Sequence, residues 1–348
     1  MRRNNLLTLA VTAGIATATA IPLLSFAQTH NDKEIQIRTP SPPGRMIDLG
    51  GYKLHLNCTG HRTSTVVLSA GAGDFSTDWA LVQPKVAAFA RVCSYDRSGA
   101  AWSDLGPKPR TMYQEAFDLH RMLMAAEERG PYVMVGQSLG GMVIRIFAEQ
   151  YPKEVAGLVL VDAYSEDSQL GINGKLQRMR LLAKDRPIPA VRESATASDH
   201  LSEAESQKIN DFVHQFIGTP KIEAPFDKLP AYAQQDRLWA LSQAKNYVED
   251  DDYMAEVSEA IYQQDQEQKY PLGAIPLIVL TRTRYDYPGP AADAAMLTHE
   301  HQEQQAKMVR LSSNGIQIIV PNSGHHIQLD TPEQVVTAIK QITAKPPH

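Results

Sequence analysis

Hydrophobic and polar positions along this chain follow two alternating rhythms. Met46-Ile47-Asp48-Leu49 and Tyr52-Lys53-Leu54-His55-Leu56-Asn57 alternate around Gly50-Gly51, which predicts a β-hairpin. Thr65-Val66-Val67-Leu68, Tyr132-Val133-Met134-Val135 and Gly157-Leu158-Val159-Leu160-Val161 are instead short continuous runs, the pattern of strands buried on both faces. Arg91–Tyr95 predicts a further strand. Between these runs the spacing changes. Met112, Ala116, Leu119, Leu123 and Ala126 recur as on one face of a helix over 111–129, with Thr111 and Gln114 placed as a capping box. A second helix runs over 139–150 and is stopped by Tyr151-Pro152. Strand and helix in alternation predict a parallel sheet with helices on both faces.

The alternation pauses over residues 163–272, which are charged, Gln-rich and helical in pattern with no convincing strand. It resumes with a strand at Pro276–Leu280, a helix over 293–311, a strand at Ile316–Val320 and a last helix opened by Thr331 as N-cap and Pro332 in the first turn. This predicts one α/β domain made of 45–162 and 273–348, interrupted after its sixth strand by a helical insertion at 163–272 that is too long for a structureless loop. Residues 28–44 are polar and Pro-rich and read as a loose leader. Residues 1–27 have the layout of a secretory signal peptide: Arg2-Arg3, an apolar stretch over Leu6–Leu24, then small Ser25 and Ala27 before a cleavage site. Thr8, Thr12, Thr17 and Thr19 make the same stretch a poor bilayer span. The arginine pair raises the twin-arginine route, which Asn4 and Asn5 fit poorly. The expectation is an exported protein, periplasmic or secreted, with no membrane association after cleavage.

Composition narrows the partners. The 348 residues carry 34 Lys+Arg and 39 Asp+Glu, a formal charge of −5 that becomes −7 if Arg2 and Arg3 are removed. An acidic balance with no basic stripe excludes a sequence-independent nucleic-acid binder. Two cysteines are too few for a disulfide scaffold or a four-thiolate zinc site. His299 and His301 fall in a Gln/Glu-rich helix that reads as solvent-facing, so neither a metal nor a cofactor is expected. The run Glu249-Asp250-Asp251-Asp252 reads as a solvated helix end, with recognition of a cationic substrate as the sharper alternative.

The chemistry concentrates at three turns. Gly136-Gln137-Ser138-Leu139-Gly140 fits G-x-S-x-G between a buried strand and a helix, where the glycines permit a tight turn that lifts the Ser138 hydroxyl out at the helix N-terminus. A serine hydroxyl is a weak nucleophile and needs a base held by a third group. His325 follows the last strand and directly follows Gly324, which favours it over His326. Two acids remain open. Asp162 ends the strand before the insertion and could equally be a loop cap. Asp286 lies in the longer loop after Leu280 and could equally form an Asx turn before Pro288. The longer loop favours Asp286, because the acid need only orient the imidazole. Donors for a developing oxyanion are expected from the backbone N–H of Leu139 and, in the Gly-rich loop Ala70-Gly71-Ala72-Gly73-Asp74, of Ala72.

These residues resemble the α/β-hydrolase superfamily, and the stretches Ser69–Trp79 and Val92–Arg97 are similar to a capped, bacterial esterase-like branch of it. Tyr95-Asp96-Arg97-Ser98-Gly99-Ala100-Ala101-Trp102-Ser103 resembles the family's D-x-x-G-x-G-x-S loop, with Ala101 replacing its second glycine. Ala70-Gly71 stands where the family usually has His-Gly, and Thr281-Arg282-Thr283-Arg284-Tyr285-Asp286 replaces its short Gly-x-x-Asp. The resemblance covers about residues 45–345. It implies a mostly parallel eight-stranded sheet flanked by helices, a helical cap, a triad of Ser138, Asp286 or Asp162, and His325, and a small-molecule acyl substrate. In the family's strand order the strands of Cys58 and Cys93 are neighbours, so the resemblance also implies a disulfide between them, which export favours. Epoxide hydrolases and dehalogenases of the family use an Asp nucleophile, which Ser138 argues against. The expected activity is carboxylic-ester hydrolysis. A lactonase, a thioesterase, an amidase or iminopeptidase, or a cofactor-free perhydrolase would use the same constellation, and a binding protein on an inactive scaffold is the alternative from another class.

Overall fold

A computed structural model describes residues 39–61, 64–172, 175–248, 253–285 and 291–344. The expected signal peptide, most of the leader and the acidic run 249–252 lie outside the described residues. The strands are β1 (Arg45–Asp48), β2 (Lys53–Thr59), β3 (Thr65–Ser69), β4 (Arg91–Tyr95), β5 (Tyr132–Gln137), β6 (Val155–Val161), β7 (Gln169–Ile172), β8 (Lys175–Arg178), β9 (Leu277–Arg282) and β10 (Gly315–Val320). Eight of them form the expected sheet, in the order β1-β2-β4-β3-β5-β6-β9-β10. β1, β2 and β4 pair antiparallel, and every pairing from β4 to β10 is parallel.

The continuous apolar runs are explained by two cores, one on each face. Side chains of a strand alternate between faces. Val67, Met134, Leu158, Leu160, Leu277 and Val279 enter one cluster, which α2 (Met112–Ala125) and α3 (Leu139–Gln150) cover with Leu119, Leu123, Ile144 and Phe147. Val66, Leu68, Val133, Val135, Val159, Val161, Ile278 and Leu280 enter the other, covered by α1 (Gln83–Ala87) and α9 (Pro332–Thr343) through Val86, Val335 and Ile339. The Thr111 hydroxyl caps α2 by accepting from Gln114 N at 3.1 Å. Gln114 does not complete the capping box. It is buried beneath the insertion, where its amide bonds Asp118 and both backbone polar groups of Arg192.

Between β6 and β9 lie α4 (Glu203–Phe212), α5 (Ala231–Leu241) and α6 (Met254–Glu267), as the helical pattern predicts. The antiparallel pair β7–β8, in register from Ile172 opposite Lys175, departs from it. The sequence joining the two strands is Asn173-Gly174, the pair most favoured in two-residue hairpin connections. The insertion is tied to the domain by buried charge. Arg145 on α3, fully buried, donates to Glu166 (2.7 Å) and to Asp265 of α6 (2.8 Å). Arg237 on α5 bonds Asp78 and pairs with Asp74.

Cys58 and Cys93 stand directly opposite each other on β2 and β4 and are joined as a disulfide. Closing a loop of this sequence separation, 35 residues, stabilises by about 4 kcal/mol on the chain-entropy model. Thiol titration of denatured, unreduced protein should therefore find no free thiol. The Cys58→Ser/Cys93→Ser variant should unfold at a lower denaturant midpoint. Two titrating thiols in the parent protein contradict the bridge.

Candidate active site

Ser138 stands between the end of β5 and the start of α3 at φ +49°. A left-handed conformation is unfavourable for serine and persists only where the surroundings over-determine it. Here they do. A Cβ on Gly136 would lie 2.4 Å from the Gly140 oxygen, and one on Gly140 would lie 2.4 Å from the Ser69 oxygen, so strand, turn and helix meet backbone to backbone. Ser138 N donates to Val161 O, and its carbonyl accepts from Gly141 N (3.0 Å) and Tyr164 N (2.9 Å). The first N–H groups of a helix have no acceptor within it. That leaves the Leu139 N–H at the foot of α3 outside the helix's own bonding.

His325 lies in the loop after β10. Its Nδ1 is 2.6 Å from Oδ2 of Asp162, the residue that follows β6 at φ +44°. Asp162 is fully shielded from solvent. Its Oδ2 also accepts from Arg282 Nη1 (2.7 Å), and its Oδ1 accepts from Arg282 N (3.1 Å) and lies 2.7 Å from His301 Nε2. Burial alone would raise its pKa. Hydrogen bonds from His301 and His325 and the Arg282 cation outweigh burial and hold the carboxyl well below the usual carboxylate range. His325 moves the other way from the usual partner of an acid. Desolvation lowers its pKa, the Arg282 and His326 charges add to that, and Asp162 only partly offsets them, even though 39% of the side-chain surface remains accessible. Arg282 Nη1 is 2.9 Å from His325 Nδ1, so the guanidinium crowds the edge of the ring that faces the acid.

Asp286, the acid the loop length favours, lies outside the described residues. The alternative, Asp162, is the acid within hydrogen-bond distance of the imidazole. β9 lies between β6 and β10 in the sheet, and the loop after β10 reaches past its end to place the imidazole on Asp162. His301 is a correction to the solvent-facing reading of its helix. His299 is 76% exposed and pairs with Glu303, but His301 is 14% exposed and turned onto Asp162. The signal was present. Leu297, His301, Gln304 and Met308 fall on one face of α7 (Ala291–Met308), and the other three are buried. Arg282, at the end of β9, had no sequence signature.

The Ala70–Asp74 loop passes beside the serine. A Cβ on Gly71 would come 3.1 Å from Ser138 Cβ and 2.2 Å from Gln137 Oε1, which only glycine avoids. Ala72 is exposed, and its N–H has no acceptor among the described residues. Asp74 lies 3.1 Å from His326 Nε2, so the histidine that competed with His325 is held on this loop, on a different acid. Ser138, Asp162, Arg282, His301 and His325 line one cavity of about 220 Å³, together with Tyr164 from the start of the insertion.

A model of the α/β-hydrolase family matches residues 66–338, and the chain belongs to that family. Among curated proteins it is 24% identical over 311 residues to the probable transporter efuK of Hormonema carpetanum, an alignment that takes in 85% of this chain and 42% of that one. The chain thus spans less than half the length of that relative. Among solved structures it resembles the enol-lactonase from Burkholderia xenovorans (TM-score 0.53, 13% identity, 84% of this chain and 97% of that one). It also resembles a thermophilic esterase from Thermogutta terrifontis (TM-score 0.51, 20% identity, 83% and 92%). At these identities the structural likeness speaks for the fold.

Because burial outweighs the acid at His325, its ring should titrate below the ordinary histidine value of about 6.5. Asp162→Asn removes the anion bonded to the ring and should lower it further. NMR titration of the histidine ring protons checks both. A His325 midpoint at or above the ordinary value contradicts the balance described here.

Proposed function

We propose that this chain is an exported serine hydrolase that cleaves a carboxylic ester of a small molecule through an acyl-enzyme on Ser138. The observation that carries this reading is the 2.6 Å contact between His325 and a buried, ionised Asp162 on the wall of the cavity that Ser138 also lines. In this reading His325 Nε2 takes the Ser138 proton as Oγ attacks the ester carbonyl. The N–H groups of Leu139 and Ala72 receive the developing oxyanion. The proton on His325 passes to the departing alkoxide, which leaves as the alcohol. Water then attacks the acyl-enzyme, His325 takes its proton, and return of that proton to Ser138 frees the acid. Asp162 remains a carboxylate throughout and keeps Nδ1 protonated.

The depressed basicity of His325 suits this role, because a neutral imidazole then persists to lower pH than for an ordinary histidine. Residues 163–272 act as a cap that selects the substrate, beginning with Tyr164, Ser168 and Gln169 on the cavity wall. Export is supported by the disulfide. Among the described residues no helix is long and apolar enough to cross a membrane.

A fluorophosphonate probe should label the protein, and Ser138→Ala should abolish both labelling and turnover of p-nitrophenyl esters. Asp162→Asn should lower kcat by roughly 10³–10⁴-fold, the scale of losing the acid of a triad, whereas Asp286→Asn should leave it near that of the parent. Turnover that survives Ser138→Ala sinks the proposal. Loss in the Asp286 variant alone would transfer the acid's role to that residue.

A further inference from the structure

We propose that Arg97 is a positioning residue for the oxyanion hole, an inference that rests on the ester-hydrolase reading above. Arg97 follows β4, in the loop that resembles the family's D-x-x-G motif, and its side chain is 9% exposed. Its guanidinium spans the back of the Ala70–Asp74 loop. One terminal nitrogen donates to the Ala70 carbonyl, the other to the Gly71 carbonyl at 2.6 Å, and Nε lies 3.2 Å from Glu115 on α2. Among the described residues no other side chain donates to these two carbonyls, and Gly71 O additionally accepts from Asp74 N.

In a planar trans peptide the carbonyl of one residue and the N–H of the next point in opposite directions. Fixing Gly71 O on Arg97 therefore fixes the Ala72 N–H on the far side of the same peptide plane, away from the guanidinium. This N–H is the one without an acceptor. The loop's backbone cannot relax toward the serine by sliding, because Gly71 already packs against Gln137 Oε1 and Ser138 Cβ. A cation on the carbonyl also polarises the peptide group and makes its N–H a stronger donor, as in any chain of hydrogen bonds. Arg97 thus acts on the reaction through the peptide between Gly71 and Ala72 and touches neither substrate nor nucleophile. Its two parallel donors suit two successive carbonyls, a geometry lysine cannot reproduce with a single point charge.

A donor aimed at the oxyanion strengthens in the transition state more than in the bound ester, so the effect belongs in kcat. Arg97→Met should lower kcat on p-nitrophenyl acetate by roughly ten- to a hundredfold, less than the 10²–10³-fold cost of removing an oxyanion donor outright. KM should stay within about threefold, and affinity for a trifluoromethyl ketone, which forms an oxyanion on the serine, should fall by a similar factor to kcat. Arg97→Lys should recover part of the loss. Where Arg97→Met does not fold, judged by its circular dichroism, Arg97→Lys decides alone, with a reduced kcat at unchanged KM expected. An unchanged kcat, or a loss expressed only in KM, overturns the assignment. Turnover in the parent that survives Ser138→Ala overturns the hydrolase reading and this one with it.

Discussion

One buried carboxylate organises the centre of this molecule. Asp162 sits where β6 ends, yet its partners come from the end of β9, from α7 and from the loop after β10. Burying a charge is costly unless it is paired and hydrogen-bonded, and here both oxygens are fully engaged. The arrangement is therefore demanding in both directions. The acid stays ionised only while Arg282, His301 and His325 are in place, and those side chains are held in their orientations by the acid. The sheet brings the four segments near one another, and this cluster fixes their register to within a hydrogen bond.

The insertion is fastened by the same physics on a larger scale. Around Arg145 three carboxyls compete for one cation. Its charge keeps Glu166 ionised against burial, while burial pushes Glu149 up to about 7 and Asp265 up to about 6. Arg237 from α5 reaches Asp74 and Asp78, and its Cζ sits over the Phe226 ring, 3.4 Å from the centroid. Buried pairs of this kind add little stability over an apolar replacement, but breaking one by removing a single partner is strongly destabilising. They specify where the insertion sits more than they drive it to pack.

What the sequence revealed follows from how local each signal is. Strands such as β3 and β6 were legible because burial on both faces gives consecutive apolar residues at their centres, and the two-sided core is the reason. Ser138 and His325 were legible because a glycine-flanked turn and the end of a strand are local features. The acid was less so. Loop length pointed to Asp286, which lies outside the described residues, while the contact of Asp162 with the imidazole spans the ends of β6 and β10 across β9, a property of the whole sheet that no local pattern carries. His301 was hidden by composition. Its helix is rich in Gln and Glu, and Gln304 and Gln305 are buried polar residues that a hydrophobic pattern does not count. The β7–β8 pair was missed because charge dominated the reading of a segment whose sequence also holds the turn-favouring pair Asn173-Gly174.

The attachment points of the insertion also bear on how such proteins diversify. Arg145 lies on the helix that begins at Ser138, and Asp74 lies on the loop that runs past it. The elements that recognise the insertion are therefore the elements that carry or border Ser138. A segment lacking the matching counter-charges would strand Arg145 in one place and a pair of aspartates in the other. Exchanging the insertion would therefore demand matching changes on α3 and on the Ala70–Asp74 loop, whereas altering its cavity-facing residues Tyr164, Ser168 and Gln169 leaves both fastenings in place.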